Sequence, residues 1–271
     1  MITENKKIAV LIDGDNAEAH LIDQILNEAG KFGKVTIKRI YADFTTQQMN
    51  AWKDKLNAHA IRPIQKFAYT KGKNSTDSAL IIDAMDIMHA KLVDGFCIVS
   101  SDSDYTGIAH RVREEGLFVM GIGKSHTPEA FVKACENFTY TEILAPKQVK
   151  NIQKQVEKQT ELLPFNKKQQ KIKKEPKQEN PKTSLTNIVT KKPINIEIVE
   201  SAFEMVYDDI TGQALASQLG AALKKVDPTF DIRNYGHSSF RKFLEALKPT
   251  FEIVSRDDKN GQIWVKRGNT K

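Results

Sequence analysis

With 271 residues, 40% of them hydrophobic and 28% charged, the chain has the balance of one or two globular domains. No apolar run approaches the ~20 residues of a membrane-spanning helix, and MITENKKIAV lacks the basic, apolar, small-residue order of a signal peptide. The formal net charge of +7 is local: residues 1–150 hold 19 basic and 19 acidic side chains, residues 196–271 hold 11 of each, and residues 151–195 hold 11 basic against 4 acidic. Two cysteines, Cys97 and Cys135, suit buried thiols rather than a disulfide framework or a zinc site, and the simplest compartment is the cytosol.

From the N-terminus, KKIAVLID reads as a strand and NAEAHLIDQILNEAG as a helix. The alternation repeats in KVTIKRIYAD with TTQQMNAWKDKLNAHA, in IRPIQKFAYT with STDSALIIDAMDIMHAKL, in GFCIVSS with TGIAHRVREEG, and in LFVMGIG with TPEAFVKACENF. Five strands alternating with helices predict an α/β domain over 1–146, with a parallel five-stranded sheet between helices. Gly30 and Gly116 suit helix C-termini, and Thr127-Pro128-Glu129 suits a helix start.

Residues 147–193 are rich in Lys, Gln, Asn and Pro and poor in apolar side chains, as in NKKQQKIKKEPKQENPKTS. Such a segment buries too little surface to offset its ordering entropy, so it reads as a basic flexible linker. A solvated spacer and an arm that tracks phosphates are compatible readings. Over 194–271, INIEIVESAFEMVYD, ITGQALASQLGAALKKV and SSFRKFLEALKPT give three helices, and FEIVSRDD, KNGQ and IWVKR give a hairpin. That order predicts a smaller winged-helix domain.

Ligands of an open parallel sheet gather outside the carboxyl ends of its strands. Two strands here end in acids, at Asp13-Gly14-Asp15-Asn16 and at Ser101-Asp102-Ser103-Asp104, and Asp77 follows the polar loop KGKNST at a helix start. Right-handed crossovers can bring the three segments to one edge. Crowded carboxylates repel one another unless a cation neutralises them, and hard oxygen donors suit Mg²⁺ or Mn²⁺. Each acid alone has ordinary uses in caps and turns; their coincidence at separate strand ends points to metal-assisted phosphodiester hydrolysis.

The motifs AVLIDGDNA, KNSTDSALIIDAMD and IVSSDSDYTGIAHRVREEGLFVMGIG make residues 6–145 resemble the NYN domain, a PIN-like nuclease domain of the LabA/DUF88 group. The resemblance implies metal-dependent cleavage of RNA or other nucleic acid. It implies Asp13 as the first metal ligand, Asn16 as the residue orienting water, phosphate or Asp13, and Asp77, Asp102 and Asp104 as the rest of the acidic cluster. It leaves Ser101 as a candidate donor to phosphate or to a ligand. Strand alternation points Asp15 away from Asp13, and Asp83, about 600° of helix turn beyond Asp77, is read with Asp86 as a supporting or surface residue. Lys71 and Lys73 flank Gly72 as an exposed loop or a phosphate contact, and His89 and His110 carry no catalytic assignment. Phe67, Tyr69 and Tyr105 offer rings for base stacking, with core packing the preferred place for Phe67.

The stretches ITGQALASQLGAALKKVDPTFDIRNYGHSSFRKFLEAL and FEIVSRDDKNGQIWVKR resemble the LOTUS domain, also called OST-HTH. That resemblance implies RNA binding and, in some members, a protein partner. Arg233, Tyr235, His237, Ser238, Arg241 and Lys242 surround the start of the third helix, where free N–H groups favour phosphate, and Lys259, Lys266 and Arg267 place charge on the wing. Tyr235 and Trp264 also suit a core. The expected activity is a metal-dependent ribonuclease with a C-terminal RNA-binding module. A noncatalytic RNA-binding or adaptor protein is the alternative, and DGDN after the first strand prompts a weaker reading as a haloacid-dehalogenase-type phosphatase.

Overall fold

Strand β1 (Lys7–Asp13) carries KIAVLID and buries all but its first residue, as a strand covered on both faces must. A computed structural model describes residues 6–67, 75–145, 192–255 and 262–268. In its first part β1 is followed by α1 (Ile22–Gly30), β2 (Lys34–Ala42), α2 (Lys53–Ala58), β3 (Arg62–Gln65), α3 (Ser75–His89), β4 (Gly95–Val99), α4 (Thr106–Glu114), β5 (Phe118–Gly123), α5 (Glu129–Ala134), β6 (Asn137–Tyr140) and α6 (Thr141–Leu144). All six strands run parallel in the order β3-β2-β1-β4-β5-β6. The order reverses between β1 and β4, and that switch opens a crevice at their carboxyl ends.

The sheet has one strand more than the five expected. TPEAFVKACENF does not run as one helix: α5 stops at Ala134, Cys135 turns extended, and Asn137–Tyr140 joins the sheet beside β5. Gly121 stands opposite Phe138 in that pairing. A Cβ there would lie 2.6 Å from Phe138 Cε2, so the glycine makes room for the ring.

Alternation of side chains divides the sheet into two faces. Ala9, Leu11, Phe96, Ile98, Val119 and Phe138 share one core with Leu80 of α3, Ile108 of α4 and Phe131 of α5. The intervening residues, Val10, Ile12, Cys97, Val99 and Met120, are buried on the opposite face, where α1 lies over β1 and β2. Burial holds the Cys97 thiol far above its usual range and pushes the Cys135 thiol up to about 12, so neither is a reactive thiolate.

The C-terminal part is built from α7 (Ile196–Glu204), β7 (Gln213–Leu215), α8 (Ala216–Val226), α9 (Phe240–Glu245), β8 (Phe251–Ser255) and β9 (Ile263–Arg267). The predicted winged-helix domain is present, with one correction. ITGQALASQLGAALKKV is a strand and a helix, because Gly212 turns with positive φ and Gln213–Leu215 pairs antiparallel with β9. Phe203, Leu219, Phe230, Phe243, Phe251 and Val265 fill its core. Asn195 and Ser239 cap α7 and α9, their side chains accepting the Glu197 and Lys242 N–H groups. Met1–Leu144 and Lys191–Lys271 belong to one compact unit. The expected linker lies outside the described residues except for 192 and 193. Among the described residues no helix is long and apolar enough to cross a membrane.

A candidate acidic active site

The last residue of β1 is Asp13, and β1 pairs with β4 through Ile12 and Val99. The residue after Val99, Ser100, therefore meets Asp13 at the sheet edge. Asp13 is fully buried. Its Oδ2 accepts hydrogen bonds from Ser100 Oγ at 2.8 Å and Asn16 Nδ2 at 2.7 Å, and its Oδ1 accepts from the Asp15 N–H at 3.1 Å. Burial raises the affinity of Asp13 for a proton, and the donors from Ser100 and Asn16 pull it partly back.

Asp77 comes from the first turn of α3, and its Oδ1 accepts from the buried Tyr105 hydroxyl at 2.6 Å. Asp102 opens the 3-10 turn Ser103–Tyr105: its Oδ1 accepts from the Asp104 N–H at 3.0 Å, while its own N–H donates to Ser100 Oγ at 3.1 Å. Asp77, Asp102 and Asp104 each offer a carboxylate oxygen, all within 4.8 Å of one another. The Asp77 carboxyl is held above its ordinary range by burial and then by the negative charges of Asp13, Asp102 and Asp104. The same surroundings keep the Tyr105 phenol protonated, so it acts as a donor.

The predicted acids thus converge, with a division of labour that the sequence did not resolve. Three form an open oxygen cluster, and Asp13 sits buried beside it in a cage of hydrogen bonds. Asn16 orients Asp13, one of the roles considered for it. Ser101 Oγ accepts the Lys124 N–H at 2.9 Å, which leaves its own O–H to donate, while the serine that reaches Asp13 is Ser100, a residue the sequence reading did not single out. The signal was readable, since Phe96, Ile98 and Ser100 share the sheet face that carries Leu11 and Asp13. Asp15 meets Asp13 through its backbone N–H and turns its side chain toward α3. Its carboxylate bonds the Thr76 side chain, and burial, with Asp77 and Asp43 nearby, raises its proton affinity.

Other candidates lie elsewhere. Asp83 pairs with Arg39 and Tyr41, and Asp86 is exposed. His89 contacts the Met85 carbonyl, and His110 is exposed. Phe67 is 53% exposed rather than in the core. Lys71, Lys73, Tyr69 and Lys259 lie outside the described residues.

In the C-terminal domain the predicted RNA-facing residues divide. Tyr235 is buried in the core beside Phe230 and Phe243, so its ring does not face a base, and burial pushes its phenol up to about 12. The Arg233 guanidinium is taken by Asp231 and Glu28. His237 packs edge-on against Phe243. Arg241 and Lys242 are exposed, with Arg241 beside Glu245 on the same helix face.

Comparison with known proteins bears on both parts. The NYN domain family matches residues 7–144, and the OST-HTH/LOTUS domain family matches residues 178–263. No curated protein matches the chain. Among solved structures, a protein of unknown function from Vibrio parahaemolyticus is 19% identical, with TM-score 0.43 over 52% of this chain and 95% of that one. An uncharacterized protein from Nitrosomonas europaea is 23% identical, with TM-score 0.28 over 36% of this chain and 95% of its own.

Proposed function

This chain belongs to the NYN domain family of PIN-like nucleases and carries an OST-HTH/LOTUS domain, and we propose that it is a metal-dependent ribonuclease that hydrolyses RNA phosphodiester bonds. The observation that carries the proposal is the convergence of Asp77, Asp102 and Asp104, with ligand oxygens within 4.8 Å, at the crevice between β1 and β4.

The donor set fits a small hard dication. Three carboxylates this close repel one another, and among the described residues no lysine or arginine forms an ion pair with Asp77 or Asp102. Asp77, Asp102 and Asp104 would hold Mg²⁺ or Mn²⁺. When bound, such an ion supplies Lewis-acid polarisation of a phosphate and a lower pKa for water.

The chain's own residues do the rest. Ser100 and Asn16 fix the Asp13 carboxylate, which adds negative charge under the cluster. Tyr105 fixes the orientation of Asp77 by donating to its Oδ1. Asp102 is fixed by the turn that it opens, and that turn carries Asp104 into place. RNA contact falls to Arg241, Lys242 and His237 of the C-terminal domain, with Lys71, Lys73 and the basic stretch 151–195 as further phosphate contacts.

The test is cleavage of end-labelled single-stranded and structured RNA with Mg²⁺ or Mn²⁺, with and without chelator. Cleavage that needs the metal and is lost in Asp102→Asn supports the proposal. Equal turnover by wild type and variant overturns it, and metal binding with no hydrolysis of any RNA leaves a noncatalytic RNA-binding protein.

A further inference from the structure

Glu28 of α1 is 6% exposed, and a carboxylate so buried needs partners. Its Oε2 accepts from Lys31 Nζ at 2.7 Å. Its Oε1 accepts from Arg233 Nη2 at 3.0 Å, and Arg233 is 205 positions away, in the C-terminal domain. Arg233 is itself aligned by Asp231, with Nε 2.9 Å from Oδ1 and Nη2 2.6 Å from Oδ2. Two acids and two bases close a balanced cluster between the domains.

Other contacts flank it. Strand β6 is the sheet edge, and its Phe138 N–H donates to the Pro228 carbonyl at 2.8 Å, so the edge is capped by the second domain. Tyr140 of β6 bonds the Thr229 side chain. Phe32 stacks on Phe118 at 5.0 Å, and Lys224 of α8 lies 5.4 Å over the Phe32 ring. Asn137 and Thr139, which alternate with the core residues Phe138 and Tyr140, are only 5% and 3% exposed. Polar side chains on an edge strand are ordinarily wet. Here α1 covers β1 and β2, Pro228 and Thr229 lie against the sheet edge at β6, and Arg233 reaches α1.

We infer that the OST-HTH domain is docked on the α1–β6 side of the NYN domain through residues 224–233, with Glu28–Arg233 as its buried ionic pin, so that the two domains behave as one cooperative body rather than as two beads on a basic tether. Arg233 is then an interdomain clasp and not a phosphate ligand, and Arg241 and Lys242 are held in fixed register to the nuclease domain. The inference stands on these contacts and does not depend on ribonuclease activity.

Backbone amide exchange on the full-length protein tests it. Among the described residues no strand pairs with the outer side of β6, so the Phe138 N–H depends on the Pro228 carbonyl for its protection. Protection of the 137–140 peptide comparable to that of β5 is the expected result. Arg233→Met, which leaves Glu28 with Lys31 alone and takes the guanidinium from Asp231, should raise exchange at 137–140 and in α1 by about tenfold or more and lower the melting temperature by about 5 °C. Glu28→Gln combined with Arg233→Met should cost less than the sum of the two single changes. Unprotected exchange at Phe138 in the wild type overturns the inference, as does an Arg233→Met effect confined to the C-terminal domain. The wild-type measurement decides even if the variants fold poorly.

Discussion

Ser100 Oγ donates a 2.8 Å hydrogen bond to Asp13 Oδ2 across 87 residues of sequence, joining the ends of the two central strands. The same oxygen accepts the Asp102 N–H, so a single hydroxyl links the buried acid to the turn that presents Asp102 and Asp104. The site is held from inside the sheet.

Ser100→Ala should therefore weaken Mn²⁺ binding by about 10- to 100-fold, the usual effect of losing a residue that orients metal ligands. The fold should persist, because only a hydroxyl is removed. Ser101→Ala should leave affinity nearly unchanged, its Oγ being engaged with the Lys124 N–H. Titration calorimetry on both variants separates them, and equal losses would deny Ser100 its special place.

Asp77→Asn should raise the melting temperature of the metal-free protein, because it relieves repulsion from Asp13, Asp102 and Asp104 while keeping an acceptor for Tyr105. For the wild type, a dication at about 100 times its Kd adds about 2.7 kcal/mol of stability, a rise of about 5–11 °C in a protein of this size. The variant should lose most of that rise. A thermal-shift series with and without Mn²⁺ reads both effects.

The raised proton affinities of Asp13 and Asp77 set a sign for pH dependence. A carboxyl whose folded pKa exceeds its unfolded value, near 3.8, favours the fold below that value, and the contribution is lost as pH rises through the folded pKa. Asp231 runs the other way: burial alone would raise it, but Arg233 holds it low, so its contribution is present at neutral pH and lost in acid. The difference between wild type and Asp77→Asn isolates the cluster. In metal-free protein the stability gain of the variant should grow from pH 4 toward neutrality, while metal affinity of the wild type should rise over the same span. Chemical unfolding at a series of pH values measures the first, and a flat difference would contradict it.

Gly121→Ala should destabilise by about 1–3 kcal/mol, the usual cost of forcing extra volume into a filled core, because its methyl group would meet the Phe138 ring and lie 3.0 Å from Cys135 Sγ. Gly107, inside α4 with nothing within 4 Å of a new Cβ, is the control. Gly107→Ala should be neutral or stabilise by up to about 1 kcal/mol. Urea denaturation of the pair tests the packing of β6 on β5.

Much of this architecture is legible in the chain. The apolar runs of β1 and β4 and the acids at their ends announce both the sheet and the site, because a doubly covered strand must be apolar and its end must face the crevice. Strand β6 was hidden by its length: four residues, NFTY, carry no periodicity long enough to separate a strand from the tail of a helix. Strand β7 was hidden for the same reason, and its existence depends on β9, roughly fifty residues later. Distinguishing Ser100 from Ser101 needed only the phase of the strand. The fate of Arg233 needed tertiary structure, since nothing near it in sequence points to Glu28.

The most direct test of the central claim is a crystal structure of the protein with Mn²⁺, phased at the manganese edge. An anomalous peak bounded by oxygens of Asp77, Asp102 and Asp104, at the ~2.1 Å typical of small hard dications, is the predicted result. A saturating soak with no peak there, or with those carboxylates closed by lysine side chains, contradicts it.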